Sequence, residues 1–75
     1  MTRSGKLAGD RGGKRRVIEV LIFSTSVSAS GDIVEAEIGY RGHIWKLDRF
    51  GLVYRINNGH RMTVLLDFAT LTERS

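Results

Sequence analysis

The chain has 75 residues, with nine glycines, no proline and no cysteine, and a formal net charge of +4. That length makes one domain, near the size at which a single core barely offsets the entropy of ordering the chain. Without cysteine neither a disulfide nor a thiolate zinc site can staple it, and no apolar run approaches the roughly 20 residues of a membrane span.

The amino terminus lacks the apolar segment of a secretion signal, so a cytoplasmic location without a membrane partner is expected. Residues 1–16, "MTRSGKLAGDRGGKRR", carry Arg3, Lys6, Arg11, Lys14, Arg15 and Arg16 against Asp10 alone, while residues 17–75 are slightly acidic. The basicity of the chain thus resides in this segment. Its four glycines and near absence of apolar side chains predict a disordered arm. A flexible basic arm suits a phosphate backbone, which it holds by releasing counterions. A solubilising leader with no partner fits the same composition.

From Arg16 onward the pattern has period two and no helical repeat. "RVIEVLIF" reads as a strand running into the polar loop "STSVSASGD". "IVEAEIGY" alternates, with Val34, Ala36, Ile38 and Tyr40 on one face and Glu35 and Glu37 on the other. "HIWKL", "LVYRI" and "MTVLLDF" supply three more strands, and "FATLTE" reads as a closing turn.

Registers follow from keeping apolar faces together. A two-residue turn at Arg41-Gly42 sets Tyr40 opposite His43, Ile38 opposite Trp45 and Ala36 opposite Leu47. A second, at Arg49-Phe50, sets Leu47 against Leu52, Trp45 against Tyr54 and His43 against Ile56. A five-residue loop, Asn57 to Arg61, then pairs Ile56 with Met62, Tyr54 with Val64 and Leu52 with Leu66. The outcome is an all-β, five-stranded SH3-like or Sm-like small barrel over residues 17–75 behind a disordered basic arm. Its expected interior is Ile18, Val20, Ile22, Val34, Ala36, Ile38, Tyr40, Trp45, Leu47, Leu52, Tyr54, Ile56, Met62, Val64, Leu66 and Phe68.

In these registers Tyr40, Trp45 and Tyr54 serve the core rather than a stacking platform, which needs exposed rings. Phe50, at a turn tip beside Arg49, is the aromatic expected to be accessible. Lys46 and Arg55 point outward, and Arg41, Arg49 and Arg61 occupy turns. Ile44, Val53 and Leu65 share the outer face, a patch suited to a homo-oligomer or protein partner unless the first strand or the loop before Asp32 folds over it.

Catalytic chemistry is not apparent. His43 and His60 are isolated, and no metal-ligand spacing, nucleophile elbow or phosphate-binding loop occurs. Glu35 and Glu37 share a strand face with no sign of a cleft around them. Neither an enzyme, a metal nor a cofactor is expected of so small a domain.

The segment "RGHIWKLDRFGLVYR" through "LLDFATLTE" resembles the Sm-like small barrels, Hfq-like members among them, in the order of Gly42, Ile44, Asp48 and Phe50. The resemblance covers about half the chain. The Tyr-Lys-His motif of that family is replaced by Leu65, Leu66 and Asp67, so its uridine pocket is not implied. "IGYRG" and "FGLVYR" are also similar to the WYL regulatory barrel, without its consecutive Trp-Tyr-Leu. Both resemblances imply a barrel. The expected function is binding of RNA or DNA, with Arg11, Lys14, Arg15, Arg16, Arg41, Arg49 and Arg61 on phosphates and Phe50 stacking. The alternative is a protein-binding adaptor or inhibitor using Ile44, Val53 and Leu65.

Overall fold

The computed structural model describes residues 2–74. Met1 and Ser75, the outermost residues of the two expected segments, lie outside that range. Six strands, β1 (Arg3–Arg11), β2 (Lys14–Val27), β3 (Ile33–Tyr40), β4 (His43–Leu47), β5 (Val53–Asn57) and β6 (Arg61–Glu73), form a closed antiparallel barrel in which β6 returns to β1. The all-β small barrel is as expected, with one more strand.

That strand comes from the segment expected to be a disordered arm, and the division into residues 1–16 and 17–75 is corrected accordingly. β1 pairs along its length with β2 and, from Gly5 to Asp10, with β6. Its inward face is Gly5, Leu7 and Gly9, all buried, and Leu7 is 0% exposed. The glycines are there for space, since a Cβ on Gly5 would lie 2.6 Å from the Thr72 carbonyl oxygen and one on Gly9 2.9 Å from that of Asp67. Arg11 pairs with Lys14 across Gly12-Gly13, whose φ values of 59° and 80° are those of a tight type I′ hairpin turn.

β2 continues through Val27, beyond the expected end at Phe23. The register with β3 shifts between Ile22 and Ser24, making Phe23 the extra residue of a β-bulge whose ring lies over Gly39. The β3–β4 hairpin has the expected register, from Tyr40 opposite His43 to Ala36 opposite Leu47. Arg41 and Gly42 take φ 50° and 78° in its turn.

The β4–β5 register differs by one residue from the expected one. Leu47 faces Val53 and Lys46 faces Tyr54, because the loop holds three residues rather than two. One carboxylate oxygen of Asp48 accepts the N–H groups of Phe50 and Leu52 at 2.9 and 3.0 Å, and Gly51, at φ 83°, donates to the Asp48 carbonyl. This is a type I turn followed by a left-handed residue, the common three-residue hairpin loop. The slip carries Val53 into the core and turns Ile56 out.

β5 and β6 pair as expected at Ile56 with Met62 and Tyr54 with Val64, and pairing extends to Asn57 with Arg61. A shift then sets Val53 against Leu66, so Leu65 is the extra residue and both leucines are buried. Past Asp67, β6 bends at Phe68, which has φ 50°, and runs on against β1 in place of the expected closing turn.

The core is Leu7, Val20, Ile22, Ala36, Ile38, Trp45, Leu47, Val53, Leu65, Leu66 and Leu71, with Ile18, Ile33, Tyr40 and Ala69 packed against it. Of the expected interior, Val34, Leu52 and Tyr54 are only partly buried. Ile56, Met62, Val64 and Phe68 are exposed. The first three follow the slipped register outward, and the bend turns Phe68 out.

Candidate nucleic-acid interface

In an up-and-down meander alternate connections share an end of the barrel. Gly12-Gly13, Arg41-Gly42 and the Asn58–His60 loop lie at one end, and the Ser28–Asp32 and Asp48–Leu52 segments lie with the termini at the other. Arg11, Lys14, Arg15, Arg16, Arg41, Arg55 and Arg61 belong to the first end, with Asp10 and Asp67 the acidic side chains nearest them in the strands. The positive charge of the chain is thereby concentrated at one end of the barrel.

The barrel is open at that end. β2 meets β3 only from Leu21 onward, so its residues Lys14 to Val20 pair with β1 alone. Likewise Arg61 to Leu66 of β6 pair with β5 and not with β1. Two hairpins therefore project past the closed part of the sheet, and between them and the β3–β4 turn lies a mouth of about 360 Å³.

Strand alternation decides what the mouth presents. The buried series Ile22, Val20 continues on the same face through half-buried Ile18 to Arg16, and Leu7 and Gly9 continue to Arg11. In the same way Ile38 leads to Tyr40, and Leu47 and Trp45 lead to His43. Ile18, Trp45, Leu65 and Leu66 form the apolar floor, Tyr40 and His43 stand on one side, and Arg11, Arg16 and Arg41 crown the rim. Of the expected contact residues, these three arginines are brought together.

The wall is fixed by specific contacts. Trp45 Nε1 donates to the Tyr40 carbonyl at 3.0 Å, and His43 meets the indole edge-on with centroids 6.4 Å apart. The Arg41 guanidinium lies 5.4 Å from the centre of the Tyr40 ring, a cation–π distance that holds the charge beside the opening. Arg41 does so from a left-handed backbone that favours asparagine or glycine.

Arg55 was expected to point outward, and the register slip reverses it. Its guanidinium lies 5.3 Å from the Trp45 ring centre and 3.4 Å from His43 Nδ1, and its Nε is buried without a partner among the described residues. The pattern Asp48 to Gly51, an acid at the first turn position and glycine at the left-handed one, is the sequence signal that would have exposed it.

The remaining candidates are dispersed. Lys14 and Arg15 are exposed on the β1–β2 hairpin, where Arg15 lies 3.6 Å from Asp10, and Arg61 is exposed at the foot of the β5–β6 loop. Arg49 and Phe50 sit at the opposite end, with Arg49 3.4 Å from Glu35. Phe50 is 81% exposed, as expected of a turn tip, yet remote from the arginines it was grouped with.

The expected outer patch does not form, because Val53 is 0% and Leu65 8% exposed and only Ile44 remains outside. A different apolar row replaces it. Leu21, Gly39 and Ile44 are consecutive cross-strand partners, and the β4–β5 register, continued, puts Ile44 level with Ile56, which pairs with Met62. Phe23 flanks the row, and exposed Leu21, Phe23 and Ile44 border a groove of about 490 Å³ over β2, β3 and β4.

Among the described residues no cluster of three or more His, Asp or Glu side chains is placed to hold a metal ion, and no helix is long and apolar enough to cross a membrane. No protein-family model, curated protein or solved structure matches the chain.

Proposed function

We propose that the protein is a non-enzymatic accessory or regulatory factor that binds RNA or DNA with the basic end of its barrel. The observation that carries this reading is the convergence on the rim of one mouth of Arg11 and Arg16, from the two arms of the β1–β2 hairpin, with Arg41 from the β3–β4 turn. Lys14, Arg15 and Arg61 extend the same positive surface along the flanking hairpins. Such a surface gathers phosphates by counterion release, and fixed arginines lose less freedom on binding than a disordered arm would.

Fluorescence anisotropy of labelled single-stranded and duplex oligonucleotides, titrated with salt, tests this reading. Six phosphate contacts to a single strand correspond to a slope of log affinity against log salt near about −4. Absence of binding at low salt would end the reading.

A second reading is favoured by the row of exposed apolar side chains. Leu21, Phe23, Ile44, Ile56 and Met62 make a larger contiguous apolar surface than scattered exposure requires, and such surfaces mark protein contacts. In this reading the protein is an adaptor or inhibitor, or self-associates, through the sheet face. Sedimentation of the wild type and of Ile44→Lys distinguishes it. A concentration-dependent mass lost in the variant supports it, and a monomer at every concentration removes self-association.

A further inference from the structure

We infer that the mouth admits one unpaired base, which makes single-stranded nucleic acid the ligand; this rests on the reading of the basic end as a nucleic-acid surface. The cations surround a concavity with an apolar floor, a surface that contact with phosphates alone would leave unused. At the roughly 30 Å³ that a water takes in liquid, the 360 Å³ of the mouth has room for about a dozen waters, which is ample for a base to enter.

The lining matches a base more closely than a phosphate. Ile18, Leu65 and Leu66 offer no hydrogen bonds, and the Trp45 N–H is already taken by the Tyr40 carbonyl. Half-buried Tyr40 and exposed His43 supply ring surface, on which any base stacks without regard to sequence. Arg11, Arg16 and Arg41 stand at the rim, where the phosphates flanking an inserted base would lie. Apolar inside and cationic outside is the polarity of a nucleotide entering base first.

A duplex cannot make this contact as it stands. Its bases face inward, and turning one out costs a few kcal/mol of pairing and stacking. The mouth lies recessed between projecting hairpins, so an intact duplex meets only the rim.

The chain has one tryptophan, and it forms part of the floor, so its emission reports occupancy directly. The full chain would be titrated at one low salt concentration with a single-stranded oligonucleotide, a duplex of equal phosphate content and inorganic polyphosphate. Trp45 emission and competition anisotropy would be read together. Insertion requires that the single strand bind roughly tenfold or more tighter than the duplex and change Trp45 emission, while polyphosphate binds without changing it.

His43→Ala, at an exposed position, should weaken the single strand several-fold and leave polyphosphate unaffected. Tyr40→Leu, with its fold checked by circular dichroism, gives the same comparison at the other ring. Equal binding of all three polymers with unchanged emission would overturn base insertion and leave the nucleic-acid reading standing. Failure of all three to bind would remove both.

Discussion

A side-chain carbon on Gly5 would lie 2.6 Å from the carbonyl oxygen of Thr72 and 2.8 Å from Ile22 Cδ1, so the first and last strands of the barrel meet where no side chain fits. Gly5→Ala therefore has to displace backbone, and a cost of roughly 1–3 kcal/mol is expected, as for other overpacked sites. Leu7→Ala, at a fully buried position on the same strand, should cost roughly 2–5 kcal/mol. In a domain of this size that approaches the whole stability. Urea denaturation of both variants checks this. Unchanged midpoints would mean that β1 is not seated between β2 and β6.

Arg41 separates stability from function. Its φ of 50° in a two-residue turn before Gly42 is one that asparagine adopts more readily. Arg41→Asn should raise stability by about 0.5–1 kcal/mol and at the same time weaken nucleic-acid binding through loss of a rim charge. Thermal melts read the first and salt-titrated anisotropy the second. A variant more stable and equally tight would show that Arg41 touches no phosphate.

Asp48 sets the β4–β5 register through two backbone N–H groups. Asp48→Ala is expected to cost about 1–2 kcal/mol, as loss of a helix cap does. Asp48→Asn, which keeps an acceptor, should lose less. Because the loop decides whether Arg55 faces the Trp45 ring, Asp48→Ala should also disturb the Trp45 emission spectrum, and an unaltered spectrum would disconnect the loop from the wall.

Phe68 is 69% exposed and has φ 50°, at the bend where the Ala69 N–H donates to the Gly51 carbonyl at 2.8 Å. A left-handed backbone costs an L-residue about 1–2 kcal/mol. Phe68→Gly relieves that strain, loses little burial and should leave stability unchanged or slightly raised in a urea melt. A large loss would show the ring to be a structural contact.

These residues also explain what the sequence made legible. The β3–β4 hairpin was readable because turn chemistry at Arg41-Gly42 and alternation on both strands give one register. The β4–β5 register was not, since Leu52 and Val53 are both apolar and either could be set inward. Only the hydrogen bonding of Asp48 decides. β1 was hidden because Gly5 and Gly9 look the same whether they serve flexibility or close approach. Ile56, Met62 and Val64 read as core because they are apolar and alternate, whereas the sheet leaves them outside. The basic residues stand out by charge alone, but setting Arg41 beside the Arg11 and Arg16 of the β1–β2 hairpin depends on how the strands close into a barrel, which no local pattern encodes. For the same reason local sequence does not separate Arg49 and Phe50, in the β4–β5 loop at the opposite end, from that group.

The most direct test of the account compares two sets of neutral substitutions. Arg11→Gln, Arg16→Gln and Arg41→Gln together empty the rim, and Arg3→Gln, Arg49→Gln and Arg74→Gln together remove equal charge from the opposite end, where each arginine has an acidic partner. Affinity for a single-stranded oligonucleotide would be measured against salt for both, alongside the wild type. The account requires that the first set lose most of the affinity and flatten the salt slope by about 2, while the second stays close to wild type. Equal losses in the two sets would mean that binding follows net charge, and the mouth would not be the site.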